Sequence, residues 1–296
     1  MYQPETAAAG RELENATREG EPVPSGIVQK SVDTVGAAER AEAAVPSARA
    51  PSQGAAEWVS FHLHRDALER FVPSGARVLE TTPGAGHYTE ALHRLGCKLS
   101  VLAASAAERA ALQARAGDRG YASSVDHWLE GDITHLEAIP DGSFGAVVAF
   151  EGALSYALER RDRALRELVR VLSPRGVLLL SAFSLWGTLH RHFPHVLARD
   201  LVDNRAVVRS GNAPATAFGH GRPCHLFRAA ELEAFLRRGG LEILSLSASS
   251  ALSTGVALPD ATDRSGWSAL LEYERAACAE RGYLDSGSEI IAVARR

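Results

Sequence analysis

The sequence predicts an α/β fold in which a largely parallel sheet is covered by helices on both faces. Three observations carry this. From Ala55 onward, short apolar runs alternate with amphipathic stretches of helical period. The apolar runs are continuous rather than alternating, as strands buried on both faces require. With 296 residues, 46% of them hydrophobic, the chain has enough apolar material for one large core.

The elements follow in order. Residues 1–52 are rich in Ala, Glu, Pro, Gly and Ser and poor in large apolar side chains. Such a segment buries too little to offset its ordering entropy, so it is expected to be a disordered tail with at most a short helix near Val32–Ala44. Residues 53–296 form the expected folded domain. Trp58, Phe61, Leu68 and Phe71 recur at helical spacing, and Pro73 and Gly75 close that helix. RVLETT is a strand, HYTEALHRLG a helix, KLSVLAA a strand and SAAERAALQARAG a helix. VDHWLEGD, FGAVVAF and GVLLLSAF supply the third to fifth strands, with RDRALRELVRVL as the helix between the last two. After an irregular stretch over 185–224, rich in His, Pro and Gly, come the helix AAELEAFLRRGG, the strand LEILSLSAS, the helix SGWSALLEYERAACAERG and the strand SEIIAVAR.

The strongest local motif is Val78-Leu79-Glu80-Thr81-Thr82-Pro83-Gly84-Ala85-Gly86: a strand ends in an acid, and a turn with two glycines opens a helix. Glycines let a ligand approach the backbone, and the helix start offers free N–H groups. Leu129-Glu130-Gly131-Asp132-Ile133 closes the third strand. Pro140-Asp141-Gly142-Ser143-Phe144 leads into the fourth, and Arg170-Val171-Leu172-Ser173-Pro174-Arg175-Gly176 leads into the fifth.

In this order and spacing the set resembles the class I S-adenosylmethionine-dependent methyltransferases of the small-molecule type, over about residues 55–296. The resemblance implies a Rossmann-like sheet of seven strands, order 3-2-1-4-5-7-6; the irregular stretch 185–224, which interrupts the alternation after the fifth strand, is read as a substrate cap. It implies that Glu80 faces the methionine amino group and that Gly84 and Gly86 let the ligand pass. Asp132 then accepts from the adenine amine, Ile133 packs on the ring, and Phe150 to Gly152 flank the sulfonium. The chain departs from the family pattern at Thr82, where a glycine is usual, and at Gly145 and Arg175. The largest departure is Ala103, where the family places an acid that grips both ribose hydroxyls. Loss of such a charge-assisted pair costs on the order of 1.5–3 kcal/mol.

The candidate chemistry lies on the same rim. Glu151, directly after the fourth strand, is a candidate general base or anchor for a cationic substrate. Tyr156 is a candidate donor. His190 and His225, in the cap, are candidate bases near neutral pH. Trp186 and Phe227 would supply apolar walls, and Arg191, with Arg205, Arg209 and Arg222, would bind an anionic group. The histidines match no metal-ligand spacing, so no metal is expected. Cys97, Cys224 and Cys278 are too few and too scattered for a disulfide framework or a cysteine zinc site.

The net charge of -4 argues against a nucleic-acid binder that works by bulk charge. The many arginines are read as genomic bias. No apolar run is long enough to span a membrane, and the polar N-terminus lacks a signal-peptide pattern, so a cytoplasmic setting is expected. Three functions follow. The first is O- or N-methylation of a small molecule in specialised metabolism, with S-adenosylmethionine as cofactor. The second is a reaction on the same scaffold without that cofactor: intramolecular substitution or cyclisation with loss of an anionic leaving group, elimination, or a pericyclic step. The third is a non-catalytic partner protein. The expected partners are a small-molecule substrate and either a second copy of the chain or a biosynthetic partner protein, with neither nucleic acid nor membrane.

Overall fold

The computed structural model describes residues 55–193, 201–218, 220–254 and 263–296. The expected tail over 1–52, with its short helix, lies outside them. The first described element is helix α1 (Ala55–Phe71), which buries Trp58, Val59, Leu63 and Leu68. Trp58 packs against Trp267 with ring centroids 4.5 Å apart.

The sheet core alternates as the sequence predicts: β1 (Arg77–Glu80), α2 (His87–Arg94), β2 (Lys98–Ala103), α3 (Ala106–Arg119), β3 (Val125–Glu130), β4 (Phe144–Ala149), α4 (Arg161–Val171) and β5 (Leu172–Phe183). The C-terminal part adds α7 (Ala229–Arg238), β8 (Glu242–Ala248), α8 (Arg264–Ala277) and β9 (Glu289–Arg295). The seven strands stand in the order β3-β2-β1-β4-β5-β9-β8. β1 to β5 pair in parallel, and β9 runs antiparallel to both β5 and β8. This is the predicted order, with β8 and β9 as the sixth and seventh sheet strands.

The pleat sorts side chains onto two faces. Leu79, Val147 and Leu178 face the core built with α4 and α7, including Leu165, Leu168 and Leu236. Val78, Val148 and Leu179 face the core that holds Trp58, Leu92 and Trp267, from α1, α2 and α8. At the start of β5, Arg175 has φ +64. The position uses the left-handed region that favours glycine, which accounts for the family's preference there.

The stretch over 185–224 is more regular than its composition suggests. It contains α5 (Leu185–Arg191), α6 (Leu201–Ser210) and a two-stranded hairpin, β6 (Asn212–Ala213) with β7 (Cys224–His225). Leu185, Leu189, Val207, Cys224 and Leu226 form a small core of its own. Ser184 caps α5, accepting from the Gly187 amide at 3.2 Å. A Cβ on Gly187 would run into the Gly287 carbonyl, so α5 lies directly on the segment that leads into β9.

Candidate functional site

The glycine turn after β1 sits at the carboxyl edge of the sheet, where open α/β sheets bind ligands. Gly84 and Gly86 have φ +50 and +76. Thr82, in place of a glycine, has a positive role here. Its hydroxyl donates to the Phe150 carbonyl at 2.6 Å and ties the turn after β1 to the turn after β4.

Glu80 ends β1 with its side chain sealed in. It is 1% exposed, and neither carboxylate oxygen has a hydrogen-bond partner. Burial pushes it up to about 7; the nearby Thr89 hydroxyl, short of a formed hydrogen bond, pulls it down and the Glu151 charge pushes it further up. An unpartnered buried carboxylate is costly, and a ligand ammonium would offset that cost.

Glu151 follows β4 with φ +56, a conformation that L side chains rarely adopt, and Gly152 follows at φ +70. A Cβ on Gly152 would strike the Phe183 ring. This tight turn aims the Glu151 carboxylate at Gly84, whose missing Cβ leaves its space: a Cβ there would lie 2.5 Å from Oε2. Burial of the carboxylate and the nearby Glu289 charge push Glu151 up to about 7, against the pull of His64.

Glu151 opens onto a groove of about 430 Å³. Among the described residues its walls come from α1, α2, the turn after β4, the end of β5, the cap and the start of β9. Of the sequence-predicted residues, Glu151 and Arg191 line it, and Glu80 lies beneath, close enough to feel the Glu151 charge. Arg191 is ion-paired with Glu57.

The other candidates are placed elsewhere. His225 is buried, with Nδ1 2.7 Å from Asn212 Oδ1 and Nε2 2.8 Å from Glu231 Oε1, so it stitches the cap hairpin to α7. His190 is exposed on α5. Trp186 is 46% exposed, with the Arg228 guanidinium over its ring. Phe227 lies inside the main core and anchors the cap by exchanging backbone hydrogen bonds with Phe183 and Leu185. Tyr156 packs on Phe183 and carries the Arg222 guanidinium 3.6 Å over its ring. None of these five is among the described lining residues. Asp132 accepts from the Thr134 amide at 2.7 Å and lies 3.4 Å from Arg160, and Ile133 is buried with Leu102. Among the described residues no cluster of His, Cys, Asp or Glu could hold a metal ion, and no helix is long and apolar enough to cross a membrane.

Sequence reasoning missed Glu57, Tyr88, Glu289 and Thr188, all in the lining. The signal for Glu289 was present. The last sheet strand of this order runs antiparallel, so an acid at its start lands on the same rim as the ends of β1 and β4.

Residues 79–180 match the family model described as a methyltransferase domain. With the seven-strand order, this match gives the chain the class I methyltransferase fold. No curated protein matches it. Similar solved structures include an S-adenosylmethionine-dependent methyltransferase from Mesorhizobium loti, 20% identical, covering 82% of this chain and 99% of that one with a TM-score of 0.54. The [4+2]-cyclase SpnF is 22% identical over 80% of each chain, TM-score 0.53. A geranyl diphosphate methyltransferase in complex with S-adenosylmethionine is 15% identical over 84% of this chain and 93% of that one, TM-score 0.52. At these identities the likeness is one of fold, and the methyltransferase fold is known with more than one activity.

Proposed function

We propose that this methyltransferase-fold protein transfers a methyl group from S-adenosylmethionine to an oxygen or nitrogen of a small molecule, in the cytoplasm and as a step of specialised metabolism. The observation that carries the reading is Glu80: a sealed carboxylate without a partner, at the end of β1 and beneath a glycine turn. It suits the cofactor's amino group; the space over Gly84 is taken by the Glu151 carboxylate, which would have to swing aside for the chain that joins that group to sulfur. Asp132 suits the adenine amine, once Arg160 yields. When bound, the cofactor supplies an electrophilic methyl group. Glu151 takes the proton of the nucleophile, and the groove walls orient that nucleophile and exclude water. With Glu151 held near 7, activity rises with pH through neutrality and then levels off. In Glu151→Gln that rising limb disappears and the rate falls by about a hundredfold or more.

The fit is weaker at the ribose end. Ala103 and Ala104 offer no acid there, and the nearest carboxylate on α3, Glu108, accepts from the Ala104 amide at 2.8 Å. This bare strand end favours a second reading, catalysis without methyl transfer, and the fold shared with the [4+2]-cyclase SpnF supports it. The version with an anionic leaving group is less favoured, because Arg191 is engaged by Glu57 and Arg222 lies on Tyr156. The rim carboxylates weigh against a non-catalytic partner protein. Calorimetry with S-adenosylhomocysteine separates the readings: micromolar binding supports the first, and absence of binding at millimolar ligand overturns it.

A further inference from the structure

Beyond Glu151 the groove keeps one consistent chemistry. Glu289 and Glu57 add carboxylates to its lining, and Phe61, Tyr88, Phe183 and Phe218 supply rings. Phe61 and Tyr88 lie stacked, with centroids 5.7 Å apart. Among the described lining residues the one arginine is Arg191, and Glu57 already engages it. Behind Glu289 lies His64, with Nε2 3.3 Å from its Oε2 and Nδ1 donating to the Ser60 carbonyl at 2.7 Å.

A second, independent feature marks the groove as a ligand site. Thr188 is 2% exposed, lines the groove, and its hydroxyl has no partner. The Nε2 of His220 is also buried without a partner, and its ring stacks on Phe183 at 4.2 Å. Folded proteins rarely leave such groups unmatched, and a ligand polar group would satisfy them.

We propose that this groove binds its substrate as an ammonium carried on an aromatic or flat apolar skeleton, so that the acceptor is an amine nitrogen. The inference rests on the reading of Glu151 as the base. An ammonium donates to Glu289 and Thr188, and ring faces attract cations. A carboxylate or phosphate substrate would instead face Glu289 and Glu151, with the one arginine of the described lining engaged by Glu57 and only the imidazoles of His87, His192 and His220 beside it. Binding brings the ammonium to Glu151: one N–H bond breaks, an O–H bond forms on the carboxylate, and the nitrogen lone pair becomes the nucleophile.

The test is calorimetry on the full chain with three matched probes, phenethylamine, phenethyl alcohol and phenylpropanoate, each with and without S-adenosylhomocysteine. The amine is expected to bind about tenfold tighter than the alcohol, and phenylpropanoate weaker than either. Glu289→Gln is expected to shrink the amine-over-alcohol preference to about twofold or less, and Thr188→Val to weaken amine binding by about threefold. The Thr188 variant carries the reading if the Glu289 variant does not fold. Equal binding of amine and alcohol, tighter binding of phenylpropanoate, or binding of none of the three at millimolar concentration overturns the inference. S-adenosylhomocysteine binding without an amine preference overturns it and leaves the cofactor reading standing. An amine preference without S-adenosylhomocysteine binding overturns the cofactor reading, and with it the amine as methyl acceptor, and leaves the ammonium site standing.

Discussion

The neighbouring ends of β1 and β2 lie on one edge of the sheet, yet their chemistry differs. β1 ends in Glu80, a buried carboxylate with unmatched oxygens, followed by a turn whose two glycines lie in the left-handed region, the first with the Glu151 carboxylate against it. β2 ends in Ala103, buried and inert, followed by Ala104 and the Ser105 cap of α3. There the nearest polar groups serve the helix start, with Ser105 accepting from the Glu108 amide and Glu108 accepting from the Ala104 amide. A carboxyl at the first end costs stability once it is charged, and a ligand ammonium would offset that cost. The second end carries no such cost and shows no such purpose. A ligand gripped by its amino end and held loosely elsewhere is what this contrast predicts.

Glu80→Gln tests the first end and has the largest expected effect. Burial raises the folded-state pKa of Glu80 to about 7 from an ordinary value of 4.5. Below the ordinary value the carboxyl is protonated in folded and unfolded chains alike. Above 7 the folded chain holds a buried charge that the unfolded chain holds in water. Stability is therefore lost as pH rises from the ordinary value through 7. Removing the charge should stabilise the protein at pH ~8 by up to about 3 kcal/mol and leave it nearly unchanged at pH ~4. The same change should weaken S-adenosylhomocysteine binding about ten- to a hundredfold, because a charge-assisted contact is lost. Thermal unfolding at the two pH values and calorimetry check both. A variant that is less stable at the higher pH, or that binds as well as the parent, would place Glu80 outside the ligand site.

Ala103→Asp tests the second end. If only the ribose contact is missing, an acid there should tighten S-adenosylhomocysteine binding about ten- to a hundredfold. Ala103 is fully buried, so the new carboxylate should also lower the melting temperature without ligand and recover part of that loss with it. Unchanged affinity would mean that the groove is closed to the ribose by more than one side chain.

How far these two ends were legible in the sequence follows from what determined each. The alternation of strands and helices came through because continuous apolar runs and a glycine turn are local signals of a buried parallel sheet, whereas the strand order was what the family resemblance implied. Glu80 and Glu151 stood out for local reasons, Glu80 as the acid that ends β1 and Glu151 as the first polar residue after β4. The cap residues were misjudged because their placement is tertiary. His225 reads in sequence as a free imidazole beside a cysteine, but Asn212 and Glu231 close on both its nitrogens. Phe227 reads as a pocket wall, but its backbone anchors the cap and its ring enters the main core. Thr82 reads as a defect in a glycine turn, and its bond to Phe150 shows that the turn uses the hydroxyl as a tie. Glu57 and Thr188 line the groove through the packing of α1 and α5, which no local pattern shows.

The smallest effect belongs to a position between the two ends, where Arg160 lies 3.4 Å from Asp132. Both side chains are about half exposed, so their attraction is screened and Arg160→Ala should cost less than about 1 kcal/mol in denaturant unfolding. Removing the arginine frees one oxygen of Asp132, while the other still accepts from the Thr134 amide. If Asp132 receives the adenine amine, S-adenosylhomocysteine should bind up to about threefold tighter, the gain from no longer displacing a weak ion pair. A tenfold loss instead would mean that Arg160 itself touches the ligand. The grip on the adenine would then come from a cation on the turn before α4 rather than from the acid at the end of β3, and the contrast between the β1 and β2 ends would extend one strand further.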